Sequence, residues 1–470
     1  MRFSEFMIVP LLAAAVEARA CKAKRPTTAA LATTALADST SPVVTTAVFA
    51  SSTAAGAPSA SSAISSLSSS TASAFSSEAF SSTSVSPKPT TNSSEAVSST
   101  FVSSKPIVTS TAPSVHTTLT TAVTSSAKPT STEAKSTSAK PAATSAPYRA
   151  YPADVVDKLR DSSIANLESY TKRNPSSCTL ENASIRREWS DLSIAEREEY
   201  ISAVQCLQRL PANTSSSVSP GARSRFDDFL TVHIQQTPYI HNTANFLGWH
   251  RYYVWQYEKA LREECNYKGF QPYWNWNREV ADPTKSAMFN GNATSLSGNS
   301  PSKDACVNSG PFKDMSVNLG PGNSLKYNPR CLKRDISASQ AQACTADKTL
   351  SLIKNSATIG SFQDTMQAIP GVHAGGHYTI GGDPGGDIYT SAGDPAFYFH
   401  HAMIDRVWWL WQLQDLENRL TAVDGNNNKN GRKGTVNDDT NLGGVAGSVK
   451  LGDLLNTMGG KGGEFCYIYV

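Results

Sequence analysis

The stretch Asp394-Pro395-Ala396-Phe397-Tyr398-Phe399-His400-His401-Ala402-Met403-Ile404-Asp405-Arg406-Val407-Trp408 decides how this chain is read. Pro395 costs nothing in the first turn of a helix, where its missing N–H would have no partner anyway. The run that follows is apolar and aromatic without a break, so a helix is expected over Pro395 to Leu420, buried on most of its faces. Adjacent residues on a helix point about 100° apart and seldom serve one ion. His401 is therefore the candidate metal ligand of the pair, and His400 is expected to be a hydrogen-bonded core or loop residue.

The other histidines extend the pattern. Of eight in the chain, His116 lies apart and seven fall into two groups, at 233, 241 and 250 and at 373, 377, 400 and 401. His373 and His377 are four apart, one above the other on one helix face. Ala374 and Gly375 occupy the interior of that pair, so the glutamate that a zinc protease uses as its base is missing. His233 follows the apolar run Phe226 to Val232, Pro238 is expected to break the helix, His241 to lie in a loop, and His250 to open an aromatic helix from Trp249 to Glu264. Two groups of three imidazoles then surround two ions: His233, His241 and His250, and His373, His377 and His401. Imidazole suits copper, zinc, iron or nickel. Helical di-iron and di-manganese sites use carboxylates, and none accompanies these histidines, so copper is the reading, with dioxygen as the oxidant that metal activates.

The rest of the 470 residues sets the context. Residues 26–150 hold 57 Ser or Thr, a composition that cannot bury enough apolar surface to fold. Arg2, the apolar stretch Phe6 to Val16 and Ala18-Arg19-Ala20 read as a signal peptide over 1–20, followed by an O-glycosylated stalk over 21–147. Lys24-Arg25 is a candidate processing site. Secretion to the cell exterior or wall follows, and the eight cysteines read as a disulfide set whose pairing spacing alone leaves open. Sequons at Asn92, Asn182, Asn213 and Asn292 agree with that compartment. The net charge is +3 with no basic stripe and no long apolar span, so neither nucleic acid nor membrane is an expected partner. From Tyr148 helical patterns dominate, over Val155 to Lys172, Ser190 to Leu210, Ala222 to Gln236 and Leu247 to Cys265. Asp282 to Leu350 reads as long loops that three cysteines staple, and Gly381 to Gly386 as a loop between ligands, since it lacks the Lys-Ser/Thr of a nucleotide loop.

His233-x7-His241-x8-His250-Arg251-Tyr252 with Gln271-Pro272-Tyr273-Trp274-Asn275-Trp276, and His373-Ala374-Gly375-Gly376-His377 with the opening stretch, resemble the two copper sites of tyrosinases, catechol oxidases and haemocyanins. The resemblance covers residues 148–470 and is nearest to short secreted fungal polyphenol oxidases. It implies a mainly α fold, with a four-helix-bundle core holding a dinuclear copper site and long disulfide-stapled loops. It assigns copper A to His233, His241 and His250 and copper B to His373, His377 and His401. Phe397 is then expected near the metal pair, and Asp405 to orient an imidazole or anchor its helix.

Four positions depart from the family pattern. Tyr239 replaces the cysteine that in many members forms a thioether to the second copper A ligand, so no crosslink is expected. Ala374 replaces an asparagine, and Gln363 and Gln367 stand where a glutamate would hold a deprotonating water. The resemblance thus implies oxidation of o-diphenols, or related o-aminophenols, with dioxygen as co-substrate, and disfavours monophenol hydroxylation. The close at Cys466-Tyr467-Ile468-Tyr469-Val470 resembles the end of the family's catalytic domain, and no lid segment is expected after it. Two other readings use the same residues: a haemocyanin-like oxygen-binding protein, and a cell-wall or matrix protein whose copper domain is inert.

Overall fold

The computed structural model describes residues 149–428 and 431–470. The signal peptide, the stalk, His116, Cys21 and Asn92 lie outside the described residues. Among the described residues ten helices follow one another: α1 (Val155–Arg173), α2 (Ile194–Arg209), α3 (Arg225–Ile240), α4 (Phe246–Glu263), α5 (Ala338–Ala341), α6 (Ala346–Asn355), α7 (Ile359–Gln367), α8 (Val372–Ile380), α9 (Ala396–Gln412) and α10 (Leu416–Arg419). Strands are short and paired in twos: β1 (Ser184–Arg186) runs parallel to β6 (Tyr467–Tyr469), β2 (Ser316–Val317) antiparallel to β3 (Arg330–Cys331), and β4 (Asp439–Thr440) antiparallel to β5 (Val449–Lys450). Among the described residues no helix is long and apolar enough to cross a membrane.

Local chemistry starts the helices. Ser224 caps α3 in a reciprocal box with Asp227, and Asp227 and Asp228 place negative charge where the helix dipole favours it. Ser193 and Glu196 do the same for α2. That cap corrects the expected start at Ser190, because Trp189–Asp191 forms a separate 3₁₀ turn. Pro238 does not break α3. It lies in the last turn, where only the bond to the Ile234 carbonyl is lost, and the helix continues to Ile240. Likewise α4 begins at Phe246 rather than at Trp249, so His250 sits inside it. At the far end α9 stops at Gln412, because Asp415 caps the separate turn α10. The loop reading of Asp282 to Leu350 fails at its end, where Ala346 begins α6, and α7 follows, the two started by threonine caps at Thr345 and Thr358.

Helices α3, α4, α8 and α9 form the core that carries the histidines, with α9 at its centre and all seventeen of its residues buried. Arg334 makes a bidentate pair with Asp394, both fully buried, and Asp394 also accepts the Ala396 N–H, so this ion pair fixes the entry of α9. The second anchor is Asp405. Its carboxylate meets the Arg251 guanidinium of α4 at 2.6 Å, accepts the hydroxyls of Tyr467 and Tyr469 at 2.8 and 2.6 Å, and lies 3.5 Å from Arg186 of β1. Of the two expected roles for Asp405 the structure shows the anchoring one; its partners are cations and phenols, not an imidazole.

Disulfides join Cys178 to Cys466, Cys206 to Cys265 and Cys306 to Cys331. Only two of the three cysteines expected to staple the long loop do so, since Cys344 is buried under α8 as a free thiol.

Removing the carboxylate of Asp405 would leave Arg251 buried without a carboxylate and the Tyr467 hydroxyl without its acceptor, while Arg186 keeps Glu258 and the Tyr469 hydroxyl, and breaking a buried ion pair on one side is what costs most. Asp405→Ala should lower stability by about 3–5 kcal/mol, read from urea unfolding at neutral pH. A loss below about 1 kcal/mol would contradict the anchoring role.

Candidate metal centre

Helix α3 delivers His233 from its third turn, and its first residue beyond the end, His241, turns back so that Nδ1 meets the Thr237 carbonyl at 3.1 Å. His250 comes from the second turn of α4 and its Nδ1 meets the Phe246 carbonyl at 2.8 Å. The Nδ1 of His233 meets the Tyr389 carbonyl at the same distance. A carbonyl can only accept, so each Nδ1 carries the proton and each Nε2 is left with a lone pair. The Nε2 atoms of His233 and His250 are buried and have no hydrogen-bond partner. An unmet buried polar atom costs about 1–3 kcal/mol, and these two atoms lie with a His241 nitrogen within 4.8 Å of one another, a ready site for a cation.

The second group comes from α8 and α9. Gly371 and Gly381 bound α8, and Gly381 adopts a positive φ of 59°, a turn that returns its N–H to the His377 carbonyl. His373, His377, His400 and His401 offer nitrogens within 4.8 Å of one another. Nε2 of His377 lies 3.2 Å from Nε2 of His401. Two neutral imidazoles have too few protons to satisfy every nitrogen here, and this spacing matches two donors about 2.0–2.1 Å from one ion at a tetrahedral angle. The groups face each other: the rings of His250 and His401 stack with centroids 4.2 Å apart, and His241 and His373 meet at 5.8 Å. Phe397 fills the space between them, 4.9 Å from His233 and 4.3 Å from His401.

His400 is buried but, contrary to the expectation of a hydrogen-bonded core residue, neither of its nitrogens has a well-formed hydrogen bond. Its ring leans on Trp276 and on the other histidines of its own group, behind them as seen from the first trio. The space it fills exists because residue 376 is glycine; a Cβ there would come within 2.2 Å of the imidazole.

Burial dominates the protonation of the whole cluster. It lowers His233 and His400 to about 3, and drives His250, His373, His377 and His401 well below the usual imidazole value, with repulsion from neighbouring histidines adding to the effect. These side chains are neutral at pH 7, the form that binds a metal.

Above the histidines a cleft opens to solvent, with about 550 Å³ of space, floored by His241, His373 and His377 and walled by Ala374 and Gln367. Of the two glutamines singled out in the sequence, Gln367 lines this cleft, its carbonyl accepting the Asn242 N–H at 2.8 Å. Gln363 donates to the Asp424 carbonyl and is not among the lining residues. Tyr239, two residues before His241, is exposed. The donor set, all neutral imidazole and free of carboxylates, fits copper in two neighbouring sites.

Residues 223–414 match the common central domain of tyrosinase. A tyrosinase-like protein of Emericella nidulans is 40% identical over 294 residues, covering 53% of this chain and 79% of that protein. An N-acetyl-6-hydroxytryptophan oxidase of the same organism is 35% identical over 349 residues, covering 62% of this chain and 93% of that protein. A solved variant of a polyphenol oxidase from Thermothelomyces thermophila superposes with a TM-score of 0.63 at 36% identity, covering 67% of this chain and 97% of that one.

Two measurements test the cluster. Copper per chain should fall from two to one in His401→Ala and stay at two in His400→Ala; equal loss in both would contradict the separation of their roles. The pH dependence of the metal-free protein has a definite sign. The histidines titrate near 6.5 when unfolded but lower in the fold, so below about 6.5 the unfolded chain binds more protons and stability falls with pH. Glu188, pushed up to about 7 by burial, and Glu279, also raised by burial, act in the opposite sense, two groups against six. The urea midpoint should therefore be lower at pH 5 than at pH 7, and an unchanged midpoint would mean that the imidazoles are already solvated.

Proposed function

The chain belongs to the tyrosinase family and is an oxidoreductase, a copper oxidase of phenolic substrates; from that premise we propose that it is a secreted enzyme that uses dioxygen to oxidise o-diphenols to o-quinones. Copper A is assigned to His233, His241 and His250 and copper B to His373, His377 and His401. The observation that carries the reading is the facing of two sets of neutral imidazoles beneath one open cleft. Held by these six histidines, a copper pair would supply the redox chemistry that couples oxidation of two catechols to two o-quinones with reduction of one dioxygen to two waters, the four electrons and four protons coming from the catechols.

The protein's own part is positioning and proton control. The carbonyls of Tyr389, Thr237 and Phe246 hold three rings in the orientation that aims Nε2 inward. Phe397, Phe246 and Trp249 wall the histidines off from water, so a bound phenol exchanges solvent for a dry floor. What the cleft does not offer is a base. Ala374 has no polar side chain, Gln367 is a neutral amide, and Asp387, the one carboxylate lining it, is tied to the backbone N–H groups of Tyr389, Thr390 and Gly322. A catechol loses its protons more readily than a simple phenol, so the reading favours o-diphenols, with o-aminophenols as related substrates, over monophenol hydroxylation.

Secretion rests on the signal-like start, on three disulfides in the described fold and on an exposed sequon at Asn292, whose Oδ1 accepts from the Thr294 N–H at 3.0 Å. An oxygen carrier would need the same ligands, but the open cleft and the oxidases among the relatives favour turnover.

Oxygen uptake by the copper-loaded protein should be rapid with catechol and at least about 100-fold slower with phenol, the span a missing general base accounts for. Comparable rates with both substrates would overturn the o-diphenol reading.

A further inference from the structure

The floor of the cleft is polar, but its rim is not. Among the described residues seven large hydrophobic side chains are exposed, and three of them, Ile369, Tyr378 and Ile388, line this one opening. Ile369, between α7 and α8, is 76% exposed, and Ile388, on the loop after α8, is 54% exposed. Leaving two isoleucines this open costs apolar hydration with no return from folding, and such clustering marks a binding surface. The three come from separate segments, so no single helix face accounts for their meeting.

Charge sharpens the point. Among the described residues no lysine or arginine lines the cleft, so a carboxylate on a substrate would find no cation among them. An ammonium group would find only Asp387, whose oxygens already accept three backbone N–H groups at 2.8, 3.3 and 2.6 Å. The remaining polar lining, Asn242 and Gln367, is neutral.

We propose that this cleft selects phenols that carry an uncharged apolar substituent on the side of the ring opposite the reacting hydroxyls, the substituent lying across Ile369, Tyr378 and Ile388. The proposal rests on the oxidase reading above. A ring whose hydroxyls point down at His241, His373 and His377 must direct its opposite edge outward, and that edge meets the apolar rim before it reaches water. The selection is then a difference in buried apolar surface between substrates, not a new polar contact.

Steady-state oxidation of 4-butylcatechol, catechol, 3,4-dihydroxyphenylacetate and dopamine by the copper-loaded protein tests it. In the native chain kcat/KM for 4-butylcatechol should exceed that for catechol by about tenfold, and neither charged substrate should exceed catechol. In the double variant Ile369→Ser, Ile388→Ser, whose changes are solvent-facing, the butylcatechol-to-catechol ratio should fall by about tenfold. A ratio near one in the native chain, or one that the double variant leaves unchanged, overturns the proposal. Equilibrium binding of 4-butylphenol against phenol under nitrogen separates this from the oxidase reading. Tighter binding of 4-butylphenol that the double variant abolishes supports the rim even if catechol is not turned over, whereas equal binding of the two phenols counts against it.

Discussion

Of the seven imidazoles in this cluster, six share a space too dry to charge them. Every neighbouring feature of the domain answers to that constraint: the rings must stay neutral, their Nδ1 protons must be spent on carbonyls where those are in reach, and the remaining lone pairs must face something cationic. Helices α3, α4, α8 and α9 are the frame that enforces this, because a histidine on a frayed loop would simply rotate into water and protonate. A four-helix core also explains why the site tolerates long irregular connections elsewhere. The excursions between α4 and α5 and after α10 never pass between the facing rings.

Rigidity of α9 is what the frame depends on in turn. Its first turn is pinned by Asp394 and Arg334, its middle by Asp405, and its indole at Trp411 by the Ser356 carbonyl. The hub at Asp405 draws on three separate pieces of chain, β1 at Arg186, α4 at Arg251 and β6 at Tyr467 and Tyr469. Buried ion pairs of this kind add little net stability over a hydrophobic packing of the same volume. What they add is geometry, since a carboxylate with four directional partners tolerates only one register of α9 against α4 and the β1–β6 pair, and His401 lies one turn away.

Much of this was legible in the linear sequence because the chemistry needs particular residue types at helical spacings. The pair His373 and His377, the run from Pro395 and the trio ending at His250 could be placed on or beside helices from periodicity alone. Other features depended on contacts between distant segments. Nothing local distinguishes Cys344 from the cysteines that pair, and the role of Asp405 depends on tyrosines more than sixty residues away. Pro238 misled because a proline's cost depends on where in the helix it falls. The threonine cap at Thr345 was a visible signal that was lost because the loop reading was carried on to Leu350. The apolar rim of the cleft was illegible for the opposite reason: an exposed isoleucine looks like any other until the fold shows what stands beside it.

The pairing of β1 with β6 has a consequence for how the molecule is made. Cys178 and its partner Cys466 are separated by 288 residues, which a ribosome working at about 5–20 residues per second takes roughly 15–60 s to synthesise. During that interval Cys178 is a thiol in search of a partner while Cys206, Cys265, Cys306, Cys331 and Cys344 all emerge ahead of the correct one. Order of synthesis therefore favours mispairing, and the native connectivity is reached by thiol–disulfide exchange after the last strand has arrived. β1 has no partner until Tyr467 to Tyr469 have been made, so this strand pair and the Cys178–Cys466 bond beside it close late in synthesis.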